Sequence, residues 1–201
     1  MAVALNANAL ITLVELDEIL KITIGDADLS NTLINIASDF IERYCNRKFI
    51  SQVFTDEIHD GDGGHNIFLE NPLVTAVDNV KSWDSISNIL IQTFTENTHY
   101  LIYLDEGYIY LRGRTSKGHR NYRVTYTAGY VTVTAVPYDL KNACAQFAGF
   151  INSQTGSAGA KSETIGKYSI TYGSSGSISI NGIPAPESIS GVIIQYRKFN
   201  I

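Results

Sequence analysis

Cysteine, proline and charge are all scarce in this chain. Its two cysteines, Cys45 and Cys144, stand far apart and in no CxxC pattern, so they build neither a disulfide framework nor a thiolate metal site. Both fall among apolar neighbours on predicted helices and read as small buried hydrophobes, which suits a reducing, cytoplasmic setting. No stretch approaches the roughly 18 apolar residues of a membrane span, so no membrane partner is expected. The opening residues, MAVALNANALITLVEL, are apolar but lack a basic start. Asn6 and Asn8 interrupt them and Glu15 and Asp17 follow at once, which argues against a signal peptide. Basic residues are outnumbered by acidic ones, 15 to 20, for a net charge of −5. That balance disfavours a general nucleic-acid or anionic-membrane binder. Charged residues reach only 17%, against about 25% in an average soluble domain. Twelve Tyr and 16 Gly partly fill the gap. Interface cores lose charge and gain aromatics, so the shortage points to a surface hidden against other protein.

The usual catalytic signatures are missing as well. GxSxG, HExxH and GxGxxG do not occur. Gly113 to Gly118 (GRTSKG) has the glycine spacing of a phosphate loop, but His119 and Arg120 follow and a strand comes next, so it does not hold phosphate. His59, Asp60, Asp62 and His65 bracket the Gly61, Gly63 and Gly64 turn. They offer oxygens to calcium or imidazoles to zinc, yet position five of an EF-hand reading is Gly64. The plainer reading is a solvated Gly-rich turn. Asp139, Glu163 and Glu187 have no His or second carboxylate nearby in sequence to form an acid–base pair.

What is present is a sequence of helix, β and helix signals. Thr12-Leu13-Val14-Glu15 is a capping box, followed by Leu13, Leu16, Ile19 and Leu20 at helical spacing. Asp26 or Asp28 caps a second helix with an apolar stripe of Leu29, Leu33, Ile36, Ala37, Phe40, Ile41 and Tyr44, leaving Asn35, Asp39 and Glu42 on the wet side. From Phe49 the period changes to that of strands. Val53 to Ile58, Ile67 to Leu69, Val74 to Trp83 and Arg123 to Thr127 read as strands, and Tyr100 to Leu104 pairs with Tyr108 to Leu111 across Asp105-Glu106-Gly107. Pro137 opens a helix with Leu140, Ala143, Cys144, Phe147, Ala148 and Ile151 inward. Ser153 to Ser162 and Gly173 to Gly182 are Gly/Ser-rich and read as mobile, Thr164 to Tyr172 as one strand, and Pro186 as the start of a last helix to about Tyr196.

The expected fold is therefore α+β: a bundle of about four helices with an inserted antiparallel β-sheet or barrel-like lobe and flexible Gly/Ser-rich arms. One domain, 1–201, divides into N-terminal helices at 10–48, a β-rich insertion at 49–134 and a core helix at 135–153. A loop, strand and arm at 154–185 and a C-terminal helix and tail at 186–201 complete it. One basic patch stands out: Arg112, Arg114, Lys117, His119, Arg120 and Arg123, interleaved with Tyr108, Tyr110 and Tyr122. Arg with Tyr can grip nucleic acid through phosphate and stacking. A solvated loop and a charged protein contact are the competing readings.

Taken in order, several segments resemble the head–tail connector, or head-completion adaptor, family of tailed bacteriophages. They are LVELDEIL at 13–20, LINIASDFIERYCNRKF at 33–49, DGDGG at 60–64, IFL at 67–69 and NPLVTAV at 71–77. VTYTAGY at 124–130, VPYDLKNAC at 136–144 and SETIGKYSITY at 162–172 follow. The stretch 82–100 departs from the compact family pattern and reads as an insertion. The resemblance implies a non-enzymatic virion protein at the head–tail interface, present in the host cytoplasm during assembly. It implies a homo-oligomeric ring, dodecameric in the virion, bound to the portal protein and to a downstream neck, stopper or tail-completion protein. DNA would pass through the channel without sequence specificity. No cofactor, metal or catalytic residue is carried over. Candidate interface residues are Arg112, Arg114, Lys117, Arg120, Arg123, Tyr168, Tyr172, Tyr196, Arg197 and Lys198. A virion decoration or tail-associated β binding module is the alternative, and a metal-assisted hydrolase using His59, Asp60, Asp62 and His65 a further one.

Overall fold

Polar residues on one helix fix the path of the N-terminal segment. In the computed structural model, α1 spans Leu13–Leu20 and α2 spans Ala27–Cys45. The structure describes residues 2–21, 24–84, 86–156, 162–165, 168–171, 177–180 and 183–198. Asp28, Asn31, Asn35 and Asp39 recur at helical spacing along α2. Asp28 accepts from the Val3 N–H at 2.9 Å and Asn31 donates to the Val3 carbonyl at 2.8 Å. Asn35 accepts from the Asn6 N–H and donates to the Ala4 carbonyl, and Asn8 donates to Asp39. The strap thus satisfies its backbone on side chains, since it has no strand partner. It ends in Ala9, Leu10 and Ile11, all buried.

Both N-terminal caps form as the sequence predicts. Thr12 and Glu15 make the reciprocal capping box of α1, and Asp26 accepts from the Asp28 and Leu29 N–H groups of α2. Leu33, Ile34, Ala37, Phe40, Ile41 and Cys45 are buried, whereas Leu29 and Ile36 of the predicted stripe are exposed. Glu42 reverses expectation. It is buried, because the left-handed Asn46 cap turns the chain back and brings Lys48 Nζ to 2.7 Å and the Phe49 N–H to 3.2 Å of its carboxylate.

The other helices are α3 (Tyr138–Gly156) and α4 (Glu187–Gln195). Pro137 and Pro186 lie one residue before the helices they were predicted to open, and the Pro137 carbonyl accepts the first bond of α3 from the Lys141 N–H. α3 packs on α1, α2 and α4. Phe40 and Phe147 meet with ring centroids 4.4 Å apart. Both cysteines are buried, and desolvation pushes each thiol up to about 12.

Residues 50–131 form a second unit, with Met1–Phe49 and Thr132–Ile201 as the first. Strands β1 (Gln52–Gly61), β2 (Asn66–Phe68), β3 (Val74–Asp84) and β4 (Ile89–Phe94) are followed by β5 (Tyr100–Tyr103), β6 (Tyr108–Leu111) and β7 (Gly118–Ala128). They make two antiparallel sheets, ordered β1-β7-β3-β4 and β2-β6-β5. Alternate residues of β7, Tyr122, Val124, Tyr126 and Ala128, point into a core shared with Ile67, Ile109 and Leu111. The sheets stay separate rather than closing into a barrel.

Four local expectations are corrected. β1 runs through Asp60 and Gly61, so the predicted 60–64 turn starts later. A Cβ on Gly61 would lie 1.9 Å from the Ser116 carbonyl oxygen, so this glycine serves a close approach rather than a left-handed turn, and Gly63 alone there takes positive φ. α3 continues through the first residues of the predicted 153–162 loop. The single strand predicted at 164–172 is a hairpin of β8 (Ser162–Ile165) and β9 (Tyr168–Thr171). Likewise the predicted 173–182 arm contains β10 (Ser177–Ile180), paired with β11 (Ile183–Pro186). Residues 157–161, 173–176 and 181–182 of the predicted mobile segments, and 166–167 and 172 of the predicted strand, lie outside the described residues.

Candidate assembly surface

The basic residues of the second unit gather at one end of its sheets. Arg112, Arg114 and Lys117 occupy the β6–β7 connection, and Arg120 and Arg123 sit on β7. All but Arg123 are exposed. β7 carries a bulge there, and Arg120 adopts a left-handed backbone with φ 54° while giving its N–H to Asp60 at 2.6 Å. A bulge re-aims side chains away from the ladder, so the sequence of charges does not simply alternate between faces. Thr115 is buried and anchors the connection, bonding Asp62 and the Gly63 N–H.

Not every predicted cation faces solvent unengaged. The Arg123 guanidinium stacks over Trp83 and donates to Asn88 at 2.6 Å. Arg114 donates to the Gly63 carbonyl at 3.3 Å. In the helical unit, Arg197 lies over the Tyr44 ring at 5.2 Å, Tyr196 Oη donates to the Asp139 carboxylate, and the Lys198 N–H donates to the Cys45 carbonyl. Tyr168 lies on the β9 backbone, while its side chain and Tyr172 lie outside the described residues.

Beside the basic connection is a cleft of about 400 Å³, bounded by Trp83, Ile91, Phe94, Tyr122, Arg112 and Arg114. A second cleft of about 410 Å³ shares Trp83 and Ile91 with it and reaches Lys117. The β3–β4 hairpin forms their apolar wall, with Ile86, Ile89, Leu90 and Ile91 all exposed. The stretch 82–100, read from the sequence as an insertion, holds the end of β3 and the whole of β4. Its apolar tip is an exposed feature that reading by charge alone passed over.

The residues of the hydrolase alternative do not converge. His59 Nε2 lies 2.9 Å from Glu57, Asp60 pairs with His119, Asp62 accepts from Gly64 and Thr115, and His65 Nδ1 meets the Leu111 carbonyl at 2.9 Å. Hydrogen bonds from His119 and the Arg120 N–H hold Asp60 below its ordinary range, and those from Gly64 and Thr115 do the same for Asp62. Each carboxylate is committed to holding a loop. Among the described residues no three His, Cys, Asp or Glu side chains come together as a metal site.

The chain thus comprises a unit built on four helices and a unit of two sheets that bears the basic cluster and an exposed apolar hairpin. A family model for the head completion protein matches residues 9–199. The chain belongs to that family. As a head completion protein it is a structural component of the head–tail join. Its fold is similar to that of chains in three solved structures. One is from the neck of an empty gene transfer agent particle computed with C6 symmetry, with TM-score 0.61 and 17% identity over 100% of this chain and 95% of that one. Another is from the neck of the native gene transfer agent particle computed with C12 symmetry, with TM-score 0.59 and 17% identity over 100% and 94%. The third is from the virion of the native particle, with TM-score 0.59 and 16% identity over 98% and 94%. A search among curated proteins finds no match.

Proposed function

We propose that this head completion protein assembles as a closed ring of twelve copies at the virion neck. The ring lies beneath the portal, extends the DNA channel and seats the next neck or tail protein. The observation that carries this reading is family membership over residues 9–199, joined to full-length likeness of fold with chains from particle necks. Those necks were computed with sixfold and twelvefold symmetry, and cyclic symmetry requires heterologous contacts that close. The sparse charge and the exposed Ile86, Ile89 and Ile91 suit a subunit whose flanks are covered.

The role is mechanical rather than catalytic. DNA would pass through the channel by non-specific backbone contact, to which exposed cations contribute a salt-dependent attraction. Native mass spectrometry of the protein, alone and mixed with its portal ring, tests the reading. A twelve-copy species, free or portal-bound, is expected. Binding of single copies to the portal, with no closed species at any ratio, would overturn it.

A further inference from the structure

Basic charge is concentrated in one part of the second unit, with Asp60 and Asp62 bonded into the loops beside it. Five of the six Lys and Arg residues within 50–131 fall between Arg112 and Arg123. The opposite end of the β5–β6 hairpin carries a knob of different character. There Tyr103 and Leu104 are 38% and 41% exposed, and Asp105 and Glu106 are exposed beside them. The knob is held firmly: the Gly107 N–H donates to the Tyr103 carbonyl, the Leu69 N–H to the Gly107 carbonyl, and Tyr103 stacks on Tyr108 with centroids 4.6 Å apart.

The cleft has the matching chemistry. Trp83, Ile91 and Phe94 supply an apolar wall and Arg112 and Arg114 supply charge. An acidic tip with two apolar side chains is what such a cleft complements, because rim charges steer and register the contact while aromatics fill its centre. Yet a chain cannot fill its own cleft. Pairing runs from Tyr100 with Leu111 at the cleft end to Tyr103 with Tyr108 at the knob end, and those three steps put about 10 Å of rigid strand between them.

We infer that the Tyr103–Glu106 knob of one copy seats in the Trp83–Arg114 cleft of the next. The contact is heterologous, each copy giving one knob and one cleft, which is the connectivity a ring needs. This rests on the ring reading and names one of the contacts that would close it.

The test is cross-linking between copies of the full chain. Glu106→Cys and Arg114→Cys are introduced singly and together, and a short bis-maleimide is added. Native Cys45 and Cys144 are buried and give a quiet background. The double variant is expected to yield a covalent ladder extending beyond dimers, and each single variant none. A paired charge swap supplies the second arm: Asp105→Lys with Glu106→Lys, or Arg112→Glu with Arg114→Glu, disperses the assembly, and all four together restore it. Intact rings with no ladder and no response to the swaps overturn this contact and leave the ring standing. Absence of both ladder and ring overturns the two together.

Discussion

The Arg123 guanidinium lies 4.0 Å from the centroid of the Trp83 indole, across the paired strands β7 and β3. Arg123 pairs in register with Lys81, so the stack is the diagonal neighbour that aromatic and long side chains reach in an antiparallel pair. It fastens the root of the apolar β3–β4 hairpin to the strand that bears the basic residues.

Trp83 is the sole tryptophan, so its emission reports this contact. Arg123→Met is expected to change the emission spectrum and to cost about 0.5–2 kcal/mol, the range of a cation–π pair from exposed to desolvated. Denaturant unfolding followed by fluorescence checks both. Unchanged emission with unchanged stability would mean that the stack contributes nothing.

Phe40 and Phe147 form the contact between α2 and α3, each nearly wholly buried. Replacing either by Ala is expected to cost about 3–5 kcal/mol. The double variant should lose less than the sum, because the two rings share one contact. Urea unfolding measures all three, and strict additivity contradicts direct packing.

Glu57 makes stability depend on pH. Burial pushes its carboxyl up, but the adjacent His59, the Tyr126 hydroxyl and the Glu70 N–H together outweigh burial and hold it below the ordinary 4.5. A lowered folded pKa gives stability that is present above the unfolded value and is lost as pH falls through the folded one. Melting temperature is therefore expected to fall as pH drops below about 4.5, and Glu57→Gln to flatten that fall. An equally steep fall in the variant would remove Glu57 from the account.

Much of this was legible in local sequence. Thr12 with Glu15, Asp26 before α2, and Asp105-Glu106-Gly107 between two tyrosine-rich strands are signals whose partners lie a few residues away. Glu42 was not legible. Its burial depends on Lys48 and the Phe49 N–H returning past a left-handed Asn46, a tertiary consequence of one backbone angle. The close approach at Gly61 was not legible for a similar reason, since it is to Ser116, 55 positions on, and not to its neighbours. The basic patch was visible as composition, but only the fold separates Arg123, engaged with Trp83, from Arg112 at the cleft.

Reversing Arg112, Arg114 and Arg120 to Glu separates an interface from a free loop. These are exposed side chains, so stability is expected to stay within about 0.5 kcal/mol. Assembly should nonetheless be lost or become strongly salt-dependent, read by sedimentation velocity at two ionic strengths. Assembly identical to the parent protein would make the patch a solvated loop.

On the proposed function, copies of this chain close into a ring at the neck. Electron microscopy of the protein bound to its portal tests it most directly. Class averages are expected to show a closed, coaxial twelvefold ring with an open channel beneath the portal. Copies scattered on the portal surface, or a bound assembly with no axial channel, would contradict it.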